Sequence, residues 1–362
     1  MRIADAVLSI FPAPSLIAMP SAGIDISAGT VKCVLLKERG IASELDSYLA
    51  LPVPSGAIVQ GSIETPEKIV DILRTLRLRL RLRFANACLS ERKAYLYQTI
   101  VPAEAKSLRE GVEFDLETHV PLSPKEVMFD FEPVKETQAG TVVSVTAYAR
   151  RIVDQYASIF EKAGIALRSL EVESQALARA ALPEKTEGSI MLIDFGRFTT
   201  RIAIAENGVV CFTATLDVGG EAMTAAVMKH FNVDETEAER IKTEKGFLMS
   251  TENKELVESL ATTLSVVKDE VVKHLSYWNS SPPEEVPRAP VSKVIACGGN
   301  ANLRGFPEYL EGEVGIPVFL AHVWQRAFSL DAYIPQMPFD ASLEYATAIG
   351  LATRGLPTHP WA

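Results

Sequence analysis

Leu192-Ile193-Asp194-Phe195-Gly196-Arg197-Phe198-Thr199-Thr200-Arg201 decides how this chain is read, because its pattern already stands once before as Gly23-Ile24-Asp25-Ile26-Ser27-Ala28-Gly29-Thr30-Val31-Lys32. Aligned on their aspartates, both stretches run from apolar residues of buried-strand type to Asp. They turn through small or hydroxyl residues and resume as an alternating strand, Val31 to Leu36 or Ile202 to Ala205. Each then meets a turn signal, Glu38-Arg39-Gly40 or Glu206-Asn207-Gly208, and Asn-Gly tolerates the positive φ of a hairpin. The chain therefore contains an internal duplication of strand, loop and strand.

Two such hairpins facing each other across a cleft form a phosphate clamp. Backbone N–H groups and Ser or Thr hydroxyls in the loops donate to phosphate oxygens, and a carboxylate at each strand end can hold a hydrated divalent cation. One isolated Asp-x-Gly/Ser turn reads more readily as an aspartate capping an ordinary hairpin. A third motif shifts the balance: Lys293-Val294-Ile295-Ala296-Cys297-Gly298-Gly299-Asn300-Ala301-Asn302-Leu303-Arg304-Gly305 is a short apolar strand running into consecutive glycines and then a helix. Glycines there let the backbone approach a flat ligand, and a helix start adds N–H donors.

In this order the three motifs resemble those of the actin, hexokinase and heat-shock chaperone superfamily, where the third is the adenosine-binding turn. Glu239 and Lys242 resemble the helical Glu-x-x-Lys pair that flanks adenine and ribose there, the alternative being a surface i, i+3 ion pair. Within the superfamily the chain resembles the PilM family of the type IV pilus inner-membrane platform, which is actin-like and FtsA-related. Gly23 to Lys32 largely follow that family's G-I-D-I-G-S-S-x-V-K opening, and Glu117 to Asp130 match E-A-x-x-Y-I-P-F-x-x-x-E-V-x-x-D. Ala163-Gly164-Ile165 with Val172 to Arg179 match a further segment, and Ala346 to Gly355 match the closing A-x-A-I-G-L-A-x-R-G. Two departures stand out. Ser27 replaces a usual Gly in the first loop, and Arg197 and Phe198 replace small residues in the second, where Arg197 can pair with a phosphate or block the site.

The resemblance implies an α/β, duplicated actin-like (ribonuclease H-like) two-lobed fold with an FtsA-type inserted small subdomain. The expected organisation is an N-terminal tail 1–21, a first lobe 22–97 and 150–185 with 339–356 returning to it, the inserted subdomain 98–149, a second lobe 186–338 with a helical insertion 221–278, and a C-terminal tail 357–362. It implies ATP and Mg2+ as cofactors, with Asp25 and Asp194 as metal ligands and Glu173 and Asp194 as catalytic candidates. The implied nucleotide-binding set is Asp25, Ser27, Ala28, Gly29, Thr30 and Lys32; Gly196, Arg197, Phe198, Thr199 and Thr200; Gly219 and Gly220; Glu239 and Lys242; and Gly298, Gly299, Asn300 and Arg304. The implied partner is the cytoplasmic N-terminal peptide of PilN, docking beside Val120, Pro121 and Leu122, together with other proteins of the pilus platform. Location would be cytoplasmic, at the inner membrane through partners. Two readings from other classes stay open: a small-molecule kinase or phosphatase on the same scaffold, and a polymerising FtsA-like division protein.

Composition agrees with this frame. At 362 residues and 48% hydrophobic the chain can bury more than one core, and a net charge of −10 argues against nucleic acid as the main partner. Cys33, Cys88, Cys211 and Cys297 lack metal-ligand spacing and read as reduced core residues. The five histidines show no ligand spacing either, which argues against a zinc enzyme. No run of about 18 apolar residues is present to span a membrane. Membrane-surface contact is expected, if anywhere, through an amphipathic Met1–Phe11 or through the arginines of Arg74–Arg83, the alternatives being a core-packed tail and a solvated helix end.

Local signals place several elements. Thr65-Pro66-Glu67 opens a helix; in the run Leu76–Arg83 the Leu-Arg alternation argues strand and the preceding 3.6 periodicity argues helix, and the family resemblance implies a helix that yields to a strand near Phe84–Leu89. Ser107–Val120 should be a helix stopped by Pro121, followed by strands 127–134 and 141–148 around Gln138-Ala139-Gly140. Val153–Ala163 should be a helix capped by Gly164, and Ser342–Arg354 a final helix crossing back to the first lobe.

Overall fold

The computed structural model describes residues 21–39, 42–248, 253–280 and 286–354. The expected Met1–Phe11 helix, the turn at Gly40 and the C-terminal tail lie outside them. The chain opens with three antiparallel strands, β1 (Ser21–Ile26), β2 (Thr30–Arg39) and β3 (Ala42–Pro52), and a minimal hairpin, β4 (Ile58–Val59) and β5 (Ser62–Ile63). Helix α1 (Pro66–Leu80) follows with Pro66 in its first turn, and Arg81 at φ 54° closes it. The Leu-Arg alternation is thus helical through Leu80, and β6 (Phe84–Leu89) starts four residues later. Strand β7 (Ala94–Val101), helix α2 (Leu108–His119), β8 (Val127–Thr137) and β9 (Gly140–Ala149) then form a small unit with sheet order β7-β9-β8. Its β7 adds to the expected helix and two strands; its residues are mostly half-buried, so no alternation marked it.

Helix α3 (Arg150–Ala163) ends at Gly164 with φ 74°, as a left-handed cap requires, and leads into β10 (Ala166–Val172) and α4 (Glu173–Ala181). The second lobe repeats the plan with β11 (Ser189–Phe195), β12 (Thr200–Glu206) and β13 (Val209–Leu216), helices α5 (Gly220–Phe231), α6 (Glu235–Lys245) and α7 (Lys254–Asn279), then β14 (Val291–Cys297). A short 3-10 turn at Gly299–Asn302, α8 (Phe306–Val314) and β15 (Val318–Leu320) complete it. The expected final helix is two: α9 (Phe339–Glu344) and α10 (Ala346–Ala352), broken at Tyr345, whose ring meets Tyr48 edge-on at 5.5 Å.

The duplication read from the sequence extends to the whole sheet. One sheet has the order β3-β2-β1-β6-β10 and the other β13-β12-β11-β14-β15, each with two antiparallel pairs followed by two parallel ones. Register repeats too: Asp25 lies opposite Lys32, and Asp194 opposite Arg201. All seven residues of β11 are buried, because helices cover both faces of its sheet.

Helices α4 and α10 fill the space between the sheets. Val34, Leu36, Leu177, Ile190, Leu192 and Ile349 belong to one core shared by both lobes. Close approach of the two helices depends on Gly350, where a Cβ would stand 1.8 Å from the carbonyl oxygen of Ala176. The small unit rests on the second lobe: Val134 and Val142 enter that lobe's core, Lys135 Nζ pairs with Glu206 at 2.6 Å, and Ser144 Oγ donates to the Val210 carbonyl at 2.6 Å.

Candidate functional site

Strands β1 and β11 end side by side, so Asp25 and Asp194 arrive at one cleft floor, 5% and 8% exposed. The first loop absorbs its unusual serine. Ser27 Oγ donates to the Thr30 carbonyl at 2.9 Å and accepts from the Thr30 N–H at 3.3 Å, so the side chain is folded into its own turn. Across the cleft, Phe198 of the second loop lies against Gly29, where a Cβ would meet the ring at 2.6 Å. The two loops therefore touch.

Arg197 neither blocks the floor nor faces it. Its Nε pairs with Glu221 at 2.7 Å and its Nη2 with Glu235 at 2.6 Å, on α5 and α6. Within the loop the Gly196 N–H donates to the Thr199 carbonyl at 3.0 Å, while buried Thr200 spends its hydroxyl on the Val218 carbonyl at 2.7 Å. Thr200 thus ties the start of β12 to the segment before α5.

The third motif packs directly on the second loop. Gly298, at φ 85°, sits where a Cβ would come 2.4 Å from Asp194 Oδ1, so only glycine permits this approach. Asn300 donates Nδ2 to the Gly196 carbonyl at 2.9 Å. Gly220 is pressed against the Asn300 side chain, Gly219 against the Arg197 carbonyl, and Gly299 against Glu344. Lys32 reaches over from the first hairpin to donate to the Glu344 carbonyl at 2.8 Å.

Glu239 and Lys242 pair with each other at 2.8 Å, but this is no ordinary surface pair: Lys242 is buried and also donates to Thr224 Oγ1 at 2.9 Å. Arg304 donates to the Glu244 carbonyl at 3.0 Å and ties the end of α6 to the third motif.

The centre of the floor is held by a residue to which the sequence reading assigned no role. Arg201 extends into the cleft and its guanidinium pairs with Glu173 at 2.5 Å through Nη1 and with Asp194 through Nη2. Its position as the strand partner of Asp194 was visible in the motif; the direction of its side chain was not. Burial works against its charge, but Glu173, Asp194 and Asp25 outweigh that and hold the guanidinium ionised. Burial raises Glu173, and Arg201 opposes the shift.

Two further buried groups surround the floor. Burial, then Glu173, pushes Glu91 up to about 8, and one of its oxygens accepts from Ser174 Oγ while the other meets no donor among the described residues. The Cys88 thiol, 3.4 Å from Asp25 Oδ1, is raised well above its ordinary value by burial and then by Asp25, so it stays protonated.

Asp25 and Asp194, the expected magnesium ligands, do not fit that ion well. Asp194 and the neighbouring Glu173 are already engaged by a guanidinium, and the atoms of Asp25, Cys88 and Glu173 that lie within 4.8 Å of one another include a thiol. Magnesium asks for about six oxygens, several from water.

The expected partner residues divide. Val120 is buried in the small unit's own core with Leu116, Val127 and Ala147, whereas Pro121 is exposed and Leu122 half-buried beside them. Phe114, on the outer face of α2, is 91% exposed and was not anticipated. Arg74, Arg77, Arg79, Arg81 and Arg83 are all exposed around an exposed Leu78, and no described helix is long and apolar enough to cross a membrane.

Comparison with known proteins agrees with this architecture. A family model described as type IV pilus assembly protein PilM matches residues 23–356. The cell shape-determining protein MreB of Escherichia coli is 26% identical over 183 residues, 42% of this chain and 51% of its own length, so the chain spans about half the length of the curated relatives it matches. Among solved structures, a chain of the PilM-PilN type IV pilus biogenesis complex superimposes with a TM-score of 0.73 at 23% identity, covering 93% of this chain and 99% of that one. MreB5 of Spiroplasma citri bound to ADP gives a TM-score of 0.54 at 15% identity, covering 91% and 94%. The fold is thus actin-like.

Proposed function

The chain belongs to the type IV pilus assembly protein PilM family, and on that premise we propose that it binds ATP between its lobes and serves the pilus inner-membrane platform by taking the cytoplasmic N-terminal peptide of PilN on its small unit. The observation that carries the nucleotide half is the convergence of two duplicated loops and a glycine turn on one floor, with Gly298 pressed against Asp194. The ADP-bound relative of the same fold and the PilM-PilN complex support the two halves.

The geometry favours binding over turnover. Glu173, the expected general base, already commits one carboxylate oxygen to the Arg201 guanidinium at 2.5 Å. Ligand at the second loop would act on the partner site through β12 and β13, on which the small unit rests by way of Lys135 and Glu206. Pro121, Leu122 and Phe114 offer apolar anchors there, and β8 is the strand at one edge of its sheet, which suits strand addition by an extended peptide before Val134, whose carbonyl accepts from Asn207 Nδ2 of the second lobe. The exposed arginines of α1 suit an anionic membrane surface once partners have brought the protein to it.

Calorimetry tests both halves in one protein. Wild type should bind ATP saturably, and Gly298→Val should weaken this at least tenfold while leaving PilN-peptide binding intact. Leu122→Glu should do the reverse. A folded Leu122→Glu protein that still takes the peptide refutes the docking site, and wild type that takes no ATP refutes the cleft.

A further inference from the structure

We propose that Arg201 is the resident cation of the cleft: its guanidinium takes the place of a protein-bound divalent ion between Glu173 and Asp194, and nucleotide phosphates are received without one. The nucleotide clause rests on the reading above; the cation clause stands without it.

Lys32 and Arg201 occupy equivalent places in the duplicated hairpins, each the strand partner of its loop aspartate. Their side chains go different ways. The Lys32 ammonium leaves the floor for the Glu344 carbonyl at 2.8 Å, whereas the Arg201 side chain turns inward and is 15% exposed. A planar guanidinium can serve two carboxylates with separate N–H groups, which a single ammonium does less well. The carboxylates it serves come from different lobes: Glu173 begins α4 directly after β10, and Asp194 lies near the end of β11. A metal ion between two acidic strand ends performs the same bridging.

The floor also lacks what magnesium needs. Asp25, Glu173 and Asp194 are 5%, 6% and 8% exposed, which leaves little access for the waters that complete an octahedral shell. The third neighbour of Asp25 and Glu173 is the thiol of Cys88, a soft group that magnesium does not choose.

Manganese is the probe, because its paramagnetism reports binding without nucleotide or turnover. Titrated with the full chain at neutral pH, the free Mn2+ resonance should be undiminished by wild type. Arg201→Ser should take up one ion per chain and melt at higher temperature in Mn2+, and adding Asp194→Asn should abolish both effects. One ion bound by wild type and lost in Asp194→Asn overturns the proposal, as does a folded Arg201→Ser protein that takes up none. If Arg201→Ser does not fold, the wild-type titration against Asp194→Asn decides alone. ATP affinity of wild type should agree within about threefold in Mg2+ and in EDTA, and a loss of more than about tenfold in EDTA overturns the phosphate clause. Absence of ATP binding in both buffers refutes the nucleotide reading, while the manganese titration still judges Arg201.

Discussion

Replacing Arg201 by alanine should destabilise the fold strongly, and more so as pH rises. The guanidinium holds Glu173 and Asp194, which are 6% and 8% exposed, and Asp25 lies beside them. Removing one partner of a buried ion pair typically costs about 3–5 kcal/mol, because the other is left charged and unsolvated. Both acids share one arginine, so the figure is not doubled. For a chain of 362 residues an unfolding entropy of about 2.1 cal/mol/K per residue converts this into a fall of roughly 4–7 °C in Tm. The sign of the pH effect follows from linkage. Arg201 lowers Glu91 and Glu173, so without it both titrate higher in the folded state than in wild type. A folded-state carboxyl raised above its unfolded value contributes stability below the unfolded value and loses it as pH rises through the folded one. Wild type and variant lose the Glu91 contribution alike up to about pH 8, so the gap should widen above that pH, where Glu91 has ionised in wild type but not in the variant, and for Glu173 above its own raised wild-type value. Urea denaturation of both proteins at four pH values measures it, and Asp194→Asn in the variant background should recover part of the loss. A gap under about 1 kcal/mol, or one constant across pH, would refute the assignment of Arg201 as the charge that balances this floor.

Glu91, pushed up to about 8 from an ordinary 4.5, keeps in the folded chain a proton that the unfolded chain releases, so wild-type stability should fall as pH rises between those values. Glu91→Gln should flatten that fall in the same denaturation series, and an unchanged slope would show that another group titrates. Gly350→Ala puts a methyl 1.8 Å from the Ala176 carbonyl oxygen, backbone against backbone, and should cost about 3 kcal/mol or more in thermal or chemical unfolding. Gly312→Ala, in α8 with nothing within 4 Å of the new methyl, should instead stabilise by about 0.5–1 kcal/mol. Equal effects at the two glycines would discredit the packing account.

Hydrophobic period and turn chemistry are local properties, and what they specify was legible in the sequence. The strand-loop-strand at Asp25 and again at Asp194, the helix opened by Pro66 and closed before Phe84, the cap at Gly164 and the hairpin turn at Asn207-Gly208 all rest on residues a few positions apart. The break of the final helix at Tyr345 escaped notice, because it is held by packing on Tyr48 nearly three hundred positions away in the chain. The same holds for the cleft. Sequence placed Asp25, Asp194 and Gly298 at strand ends, but gave no sign that Thr200 would turn to Val218, that Arg197 would be taken by Glu221 and Glu235, or that Glu91 would be buried beside Glu173. Arg201 is the clearest case. Its strand and register follow from the repeat, yet whether a long flexible cation faces solvent or a buried acid depends on which carboxylates the second lobe, β10 and α4 bring within reach. That proximity is created by tertiary packing alone, since electrostatic partners are chosen by distance and desolvation, and neither is written in the order of residues along a strand.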